Sequence, residues 1–339
     1  MAVVVLALAL GAPRAANPSP GVADTVAKLN RDGFAAFGAV GAVVGADEPD
    51  VAVSPLLKWY VHRFLTLRSA DAAARSLVQQ LRGSGVVIET TMHVARGESE
   101  YTEPVAAHER DDLAAKTLWD LTSEPSAPGE RGYAWSMEAR MRTEDDLASK
   151  QFIGFAHLYA PYYARDGIRA LRLDAVDGSR SLFLFSGTRS VLTDLRGRMS
   201  PALWQSLSTG FVQTEILLPD LSLDLHLRDD FPVDANESFG RPVLPTWQFA
   251  SGGFLAFDTS ASMAKMRVGL SAEVSAWGRV SQPVKPRDPK GLQTIGSIRP
   301  HVHLLGPILD ERRFSIVAPL LYVVQDTRTG AILLMGEHV

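Results

Sequence analysis

The chain has 339 residues, of which 46% are hydrophobic and 21% charged, with a formal net charge of −4 and no cysteine. These are globular values, and the small negative charge gives no reason to invoke nucleic acid or an anionic membrane as a partner. Without cysteine there can be no disulfide, thiolate metal site or cysteine nucleophile. The length suits one large domain or two ordinary ones.

Residues 2–12, AVVVLALALGA, are apolar but too few to span a bilayer as a helix, which takes about 20 residues. The small residues of APRAAN follow. The pair reads as the apolar region and cleavage zone of a secretory signal peptide, assigned here to residues 1–16. The protein is therefore expected to be secreted and extracellular, with no membrane span. Asn236-Glu237-Ser238 is an N-glycosylation triplet, and Asn236 is the expected glycan acceptor.

Val26, Leu29, Phe34, Phe37 and Val40 recur at helical spacing, which predicts a helix over 22–40. Residues 41–50, rich in Gly, Asp and Pro, form a loop. Val51-Ala52-Val53 is a short strand running into a helix start. There Ser54 is suited to cap the helix, and Pro55 fits the first helical position, where its missing N–H costs nothing. A second helix is predicted over 69–82, with Ala70, Ala73, Ala74, Leu77, Val78 and Leu81 on one face. Val86–Val94 reads as a strand, and Leu113, Thr117, Leu118 and Leu121 mark a helix over 108–121.

Residues 123–132 are a polar Pro/Gly loop within one domain. Tyr133, Trp135, Met137, Ala139 and Met141 then alternate with Ala134, Ser136, Glu138, Arg140 and Arg142, the period of a half-buried strand. Three more strands are predicted at Phe152–Tyr159, Ile168–Val176 and Ser181–Phe185. Met199-Ser200-Pro201 opens a helix through Trp204 and Leu207. Leu221, Leu223, Leu225 and Leu227 alternate with polar residues as a one-sided strand. Last come the apolar runs Ile316–Val324 and Ala331–Met335, separated by the turn formers Asp326, Thr327, Thr329 and Gly330. They read as a β-hairpin covered on both faces. From the residues alone the class is α+β with many strands.

The terminal stretch carries Phe314, Pro319, Thr329-Gly330 and Ile332-Leu333-Leu334-Met335-Gly336. It resembles the C-terminal signature of the serpins, the serine protease inhibitor family. Other segments fall in that family's order: Val51–Pro55 opening its helix, the strand carrying Trp135, SLFLFSGTRSVLTDLRGRMSPALWQSL, and the strands around Leu218-Pro219. The family has a second Ser shortly after the Pro of its early helix, where this chain has Leu57, and the region before Lys150 is shortened. The resemblance implies one serpin-like domain over 22–339, with three mainly antiparallel sheets, a helical layer and an exposed reactive loop.

A serpin works through that loop. A protease cuts it, and the loop inserts into the central sheet as an extra strand, dragging the acyl-enzyme with it. Counting back from Phe314 places the family's hinge glycine at Gly291, preferred to the competing anchor Gly278, which would make the loop much longer. The hinge is then Leu292, Gln293, Thr294 and Ile295, and the scissile bond Leu305-Gly306. Leu292 and Ile295 are bulky where the family has alanine, Pro300 removes a ladder donor, and Pro283, Pro286 and Pro289 interrupt the strand leading into the loop. The family's sheet-controlling His maps onto Ser281.

These departures favour a secreted serpin-family protein with weak or absent protease trapping, acting by protein or ligand binding. A second reading is a working inhibitor of a chymotrypsin-like or elastase-like protease through Leu305-Gly306. A third is an unrelated α+β enzyme, although no G-x-S-x-G elbow or Walker motif is present. The expected partner is an extracellular serine protease or another protein bound through the loop, with no catalytic residue, cofactor or metal. His301 and His303 share one side of an extended segment but lack a third ligand. Arg63, Arg68, Arg75 and Arg82 read as a solvated face, with glycosaminoglycan binding as the alternative.

Overall fold

The computed structural model describes residues 20–43, 50–65, 72–96, 99–105, 133–147, 157–217, 221–225, 247–258, 265–277 and 319–338. The first helix, α1 (Pro20–Val43), leads to strand β1 (Asp50–Val53) and helix α2 (Pro55–Leu65). Ser54 accepts from the Leu57 N–H at 3.1 Å and donates to the Leu333 carbonyl at 2.6 Å. The predicted cap is therefore also a tie to the C-terminal hairpin. Helix α3 (Ala72–Gly83) buries Ala74, Leu77, Val78 and Leu81, the face read from the sequence.

The strands that follow are β2 (Val87–Arg96), β3 (Ser99–Val105), β4 (Tyr133–Asp146), β5 (His157–Arg165), β6 (Ile168–Asp174) and β7 (Arg180–Ser186). Helix α4 (Arg189–Arg198) is capped by Thr188, and α5 (Pro201–Thr209) by Ser200 with Pro201 at its first position. The remaining strands are β8 (Val212–Leu217), β9 (Leu221–Leu225), β10 (Trp247–Asp258), β11 (Lys265–Trp277), β12 (Leu320–Asp326) and β13 (Ile332–His338). The sequence reading has no β3, β10 or β11; the strand it expects ahead of the loop, at Pro283, Pro286 and Pro289, lies outside the described residues. Strand β5 runs on to Arg165, past the predicted Tyr159. The helix expected over 108–121 lies outside the described residues.

The strands form two sheets, in the orders β1-β13-β12-β7-β6-β5-β8 and β3-β2-β4-β11-β10-β9. Every neighbouring pair is antiparallel. Two of the three sheets that the resemblance implies are thus present among the described residues.

In the seven-stranded sheet, successive side chains go to opposite faces, as the strand period requires. Leu182, Leu184, Leu320, Tyr322 and Val324 enter one core, together with Met137, Met141, Leu255 and Leu270 of the six-stranded sheet and Leu56, Tyr60 and Leu77 of the helices. Phe183, Phe185, Leu321 and Val323 enter a second core with Phe34, Phe37, Leu192, Leu195 and Trp204. Trp204 meets Phe183 edge-on at 4.7 Å between ring centroids. Helices α4 and α5 therefore cover one face of the seven-stranded sheet, and the six-stranded sheet packs on the other face together with α2 and α3. Both faces of the C-terminal hairpin are buried, as its uninterrupted apolar runs predict.

Candidate functional site

Three structural features bear on a loop-based function: the C-terminal hairpin, the centre of the six-stranded sheet, and the corner where the two sheets join. The hairpin closes through Asp326, which is 0% exposed. Its carboxylate accepts from the Thr329 N–H at 2.8 Å, the Thr329 hydroxyl at 2.7 Å and the Ser84 hydroxyl at 2.5 Å. Gly330 takes φ +77°, the left-handed conformation for which the turn needs glycine. Asn30 on α1 reads the same turn twice: its amide donates to the Gly330 carbonyl at 2.9 Å, and its carbonyl accepts from the Ile332 N–H at 2.9 Å.

At the centre of the six-stranded sheet, β11 pairs with β4 from Lys265↔Asp146 to Trp277↔Ala134, and with β10 from Lys265↔Asp258 to Ala276↔Trp247. It is antiparallel to both neighbours, so β4 and β10 run in the same direction on either side of it. Residues 259–264 join it to β10. On its inner side Met266, Val268, Leu270 and Ala272 are buried against the core. On its outer side Lys265 lies 3.4 Å from Glu144 and 3.7 Å from Asp146. Along the same outer face Arg140 pairs with Glu138, and that hydrogen bond is the main cause raising the guanidinium above its ordinary pKa.

The corner is polar and buried. The inward side of β4 continues from Met137, Ala139 and Met141 to Thr143 and Asp145. Arg180, at the start of β7, donates through Nε to both Asp145 oxygens, at 2.7 and 2.6 Å, and through Nη2 to one of them. Both side chains are 3% exposed. Arg180 also donates to the Ser84 carbonyl, and the Thr143 hydroxyl donates to Asp145 at 2.6 Å. Backbone contacts reinforce the join: the Val176 N–H donates to the Asp146 carbonyl at 2.8 Å, and Leu147 bridges to Ala175. Sequence reasoning did not single out this pair. The signal lay in the parity of β4, which puts Asp145 on the same face as Met137 and Met141.

Several expected site residues lie outside the described residues. They are Gly291, Leu292, Gln293, Thr294 and Ile295 of the hinge, Leu305-Gly306, Ser281, His301, His303, Asn236, and the segment 1–16. Leu57, in place of the family's second Ser, is 2% exposed and belongs to the core that holds Met137 and Leu270. Of the four arginines, the side chains of Arg75 and Arg82 are described, and Arg82 donates to the Ile88 carbonyl at 3.3 Å. Among the described residues no helix is long and apolar enough to cross a membrane, and no group of three or more acidic, His or Cys side chains is placed to hold a metal ion.

No protein-family model matches the sequence, and no curated protein matches it significantly. Solved structures do share its architecture. A cleaved form of serpin 42Da superimposes with a TM-score of 0.50 at 9% identity, covering 93% of this chain and 96% of the other. The fold is the serpin fold. A loop-inserted, cleaved ovalbumin mutant gives a TM-score of 0.48 at 9% identity, over 93% of this chain and 98% of the other. Tengpin, a thermophilic serpin in its latent state, gives 0.45 at 10% identity, over 96% and 99%. The serpin fold is thus reached at an identity where only the architecture carries the likeness.

Proposed function

We propose that this chain is a secreted serpin-family protein, one domain over residues 22–339 after a signal peptide at 1–16. In this reading it acts by binding a protein or ligand, not by trapping a protease or catalysing a reaction. The observation that supports the reading is the position of β11. A loop that enters a sheet antiparallel to both its neighbours needs two neighbours that run in the same direction. Every adjacent pair described in the six-stranded sheet is antiparallel, so none of those gaps offers that arrangement. Each place that would offer it is already held by a strand, and the central one, between β4 and β10, is held by β11 along all 13 of its residues.

For the segment 291–306 to enter there, β11 would have to leave and expose Met266, Val268 and Leu270. Uncovering a buried aliphatic side chain costs about 1.5–3 kcal/mol. Leu292 and Ile295 would then have to fit where a well-packed strand now stands, and overpacking costs about 1–3 kcal/mol per site. Pro300 would leave a ladder carbonyl without its donor, at roughly 1–3 kcal/mol.

The test is to mix the protein with a panel of chymotrypsin-like and elastase-like proteases. Denaturing electrophoresis and thermal melting are then run before and after cutting within 299–306. The expected result is plain cleavage, an active protease released, and an unchanged melting temperature. A covalent complex, with a large rise in melting temperature after a cut at Leu305-Gly306, would instead make the chain a working inhibitor. Mass spectrometry of secreted material tests export: the mature chain is expected to begin near Asn17 and to carry glycan on Asn236, and an intact Met1 would refute export.

A further inference from the structure

Strand β4 belongs to the six-stranded sheet, and its C-terminal end meets the seven-stranded one. It pairs with β2 as far as Arg142 and with β11 as far as Asp146; there the Val176 N–H donates to the Asp146 carbonyl, and Leu147 bridges to Ala175 in the β6–β7 turn. The ion pair of Arg180 and Asp145 stands at that crossing, buried on both sides. It is tied through Ser84 to the end of α3 and through Asp326 to the β12–β13 turn. A buried pair of this kind resists separation, because parting it leaves an uncompensated charge away from water. Just outside it, Lys265 at the first position of β11 faces Glu144 and Asp146, both on this end of β4. Those contacts are exposed and weak by comparison. The crossing is therefore asymmetric: β4 is fastened to the seven-stranded sheet at its Asp145 end, and β11 is held by its ladders with β4 and β10.

We infer that Arg180 and Asp145 form a latch that sets the end from which β4 and β11 part. With the pair made, β4 stays on the seven-stranded sheet and the ladder frays from Ala134/Trp277. With it broken, the ladder also opens from Asp146/Lys265, beside the connection to β10. The latch thereby governs one of the two ladders that hold β11, at the end where β11 connects to β10. The inference rests on the corner geometry and not on the placement of the reactive loop, so either can fail without the other.

Amide hydrogen exchange on the full chain, followed by mass spectrometry of its peptides, measures this directly. In the wild-type protein, amides at 143–147 and 265–269 are expected to exchange at least about tenfold more slowly than those at 134–137 and 273–277, as graded local opening requires. The double variant Arg180→Met with Asp145→Asn removes both charges together, leaves no unpaired ion and is the variant expected to fold. It should raise exchange at the latch end by about tenfold or more and leave the β12–β13 amides unchanged. Three outcomes overturn the latch. They are equal exchange at both ends of the wild-type ladder, a latch end unaffected by the double variant, and an equal acceleration that includes β12 and β13.

Discussion

The ring of Phe254 on β10 lies over Gly269, its register partner on β11, so closely that a Cβ on Gly269 would stand 2.8 Å from the ring's Cζ. One step back along β10, a Cβ on Gly253 would meet the Gly269 carbonyl oxygen and stand 2.6 Å from Leu270 Cδ2. The two glycines thus lose their side chains for different neighbours, a half-buried ring in one case and a backbone in the other. Gly269→Ala asks only that Phe254 turn away, and a strained rotamer costs about 0.5–1.5 kcal/mol. Gly253→Ala must push strand from strand, at the upper end of the roughly 1–3 kcal/mol typical of overpacking. Urea denaturation of both variants is expected to rank Gly253→Ala as the more damaging, and the reverse order would refute this account of the pair.

Asp326 gathers Ser84 and Thr329 in a site closed to water. Asp326→Ala removes the acceptor for the Thr329 N–H and hydroxyl as well as for Ser84, and a buried donor left unsatisfied costs about 1–3 kcal/mol. Ser84→Ala leaves the Thr329 bonds in place and is expected to cost less. Thermal melting that showed Ser84→Ala to be the worse of the two would mean that the turn does not depend on the carboxylate.

The C-terminal hairpin supplies two interior strands to the seven-stranded sheet, between β1 and β7. Removing Phe314–Val339 is expected to give no soluble, cooperatively melting protein. Each large aliphatic side chain lost from these strands forfeits about 1.5–3 kcal/mol, against a total stability of about 5–15 kcal/mol. A truncated chain with a sharp melting transition would contradict this.

Asp177 offers a pH-dependent test. Burial pushes its carboxyl pKa upward, but hydrogen bonds from the Ser179 hydroxyl at 2.6 Å and N–H at 2.9 Å, with the charges of Arg180 and Arg328, outweigh that and hold it below its ordinary value. A carboxyl lower in the folded than in the unfolded chain stabilises the fold fully above the unfolded value, about 3.9. That contribution fades as pH drops through the folded value. Asp177→Asn is therefore expected to be less stable than wild type near neutral pH, with the gap closing below about pH 4. A gap that stays constant down to acid unfolding would show that the charge is not the cause.

The parts of the fold legible in the sequence are those with strong local signals. Ser54-Pro55 and Ser200-Pro201 each join a capping hydroxyl to a residue that fits only the first helical turn, and both helices start there. The terminal hairpin was legible because no polar residue breaks its arms. Strands β10 and β11 were harder to see, since Gly252, Gly253, Gly269, Ser271 and Ala272 carry little strand propensity. Their stability comes from close approach to neighbours, a tertiary property that no local pattern records. The pairing of β4 with β11 joins segments more than a hundred residues apart, so the sequence offered no local cue to the strand that fills the sheet's centre. The parity of β4 puts Asp145 inward, but its partner Arg180 lies 35 residues on, and no local pattern joins the two.

The register Asp50↔His338 has a further consequence for the protein while it is being made. Strand β1 leaves the ribosome early, but the strand that pairs with it is among the last described residues to be synthesised. At about 5–20 residues per second, β1 waits on the order of ten seconds to a minute for β13. During that interval β7 also lacks its β12 neighbour, so two apolar strand edges are open at once, the kind of surface that recruits stray strands from other chains. Nascent chains of this protein therefore pass through a stage at which the fold itself does not yet cover these edges.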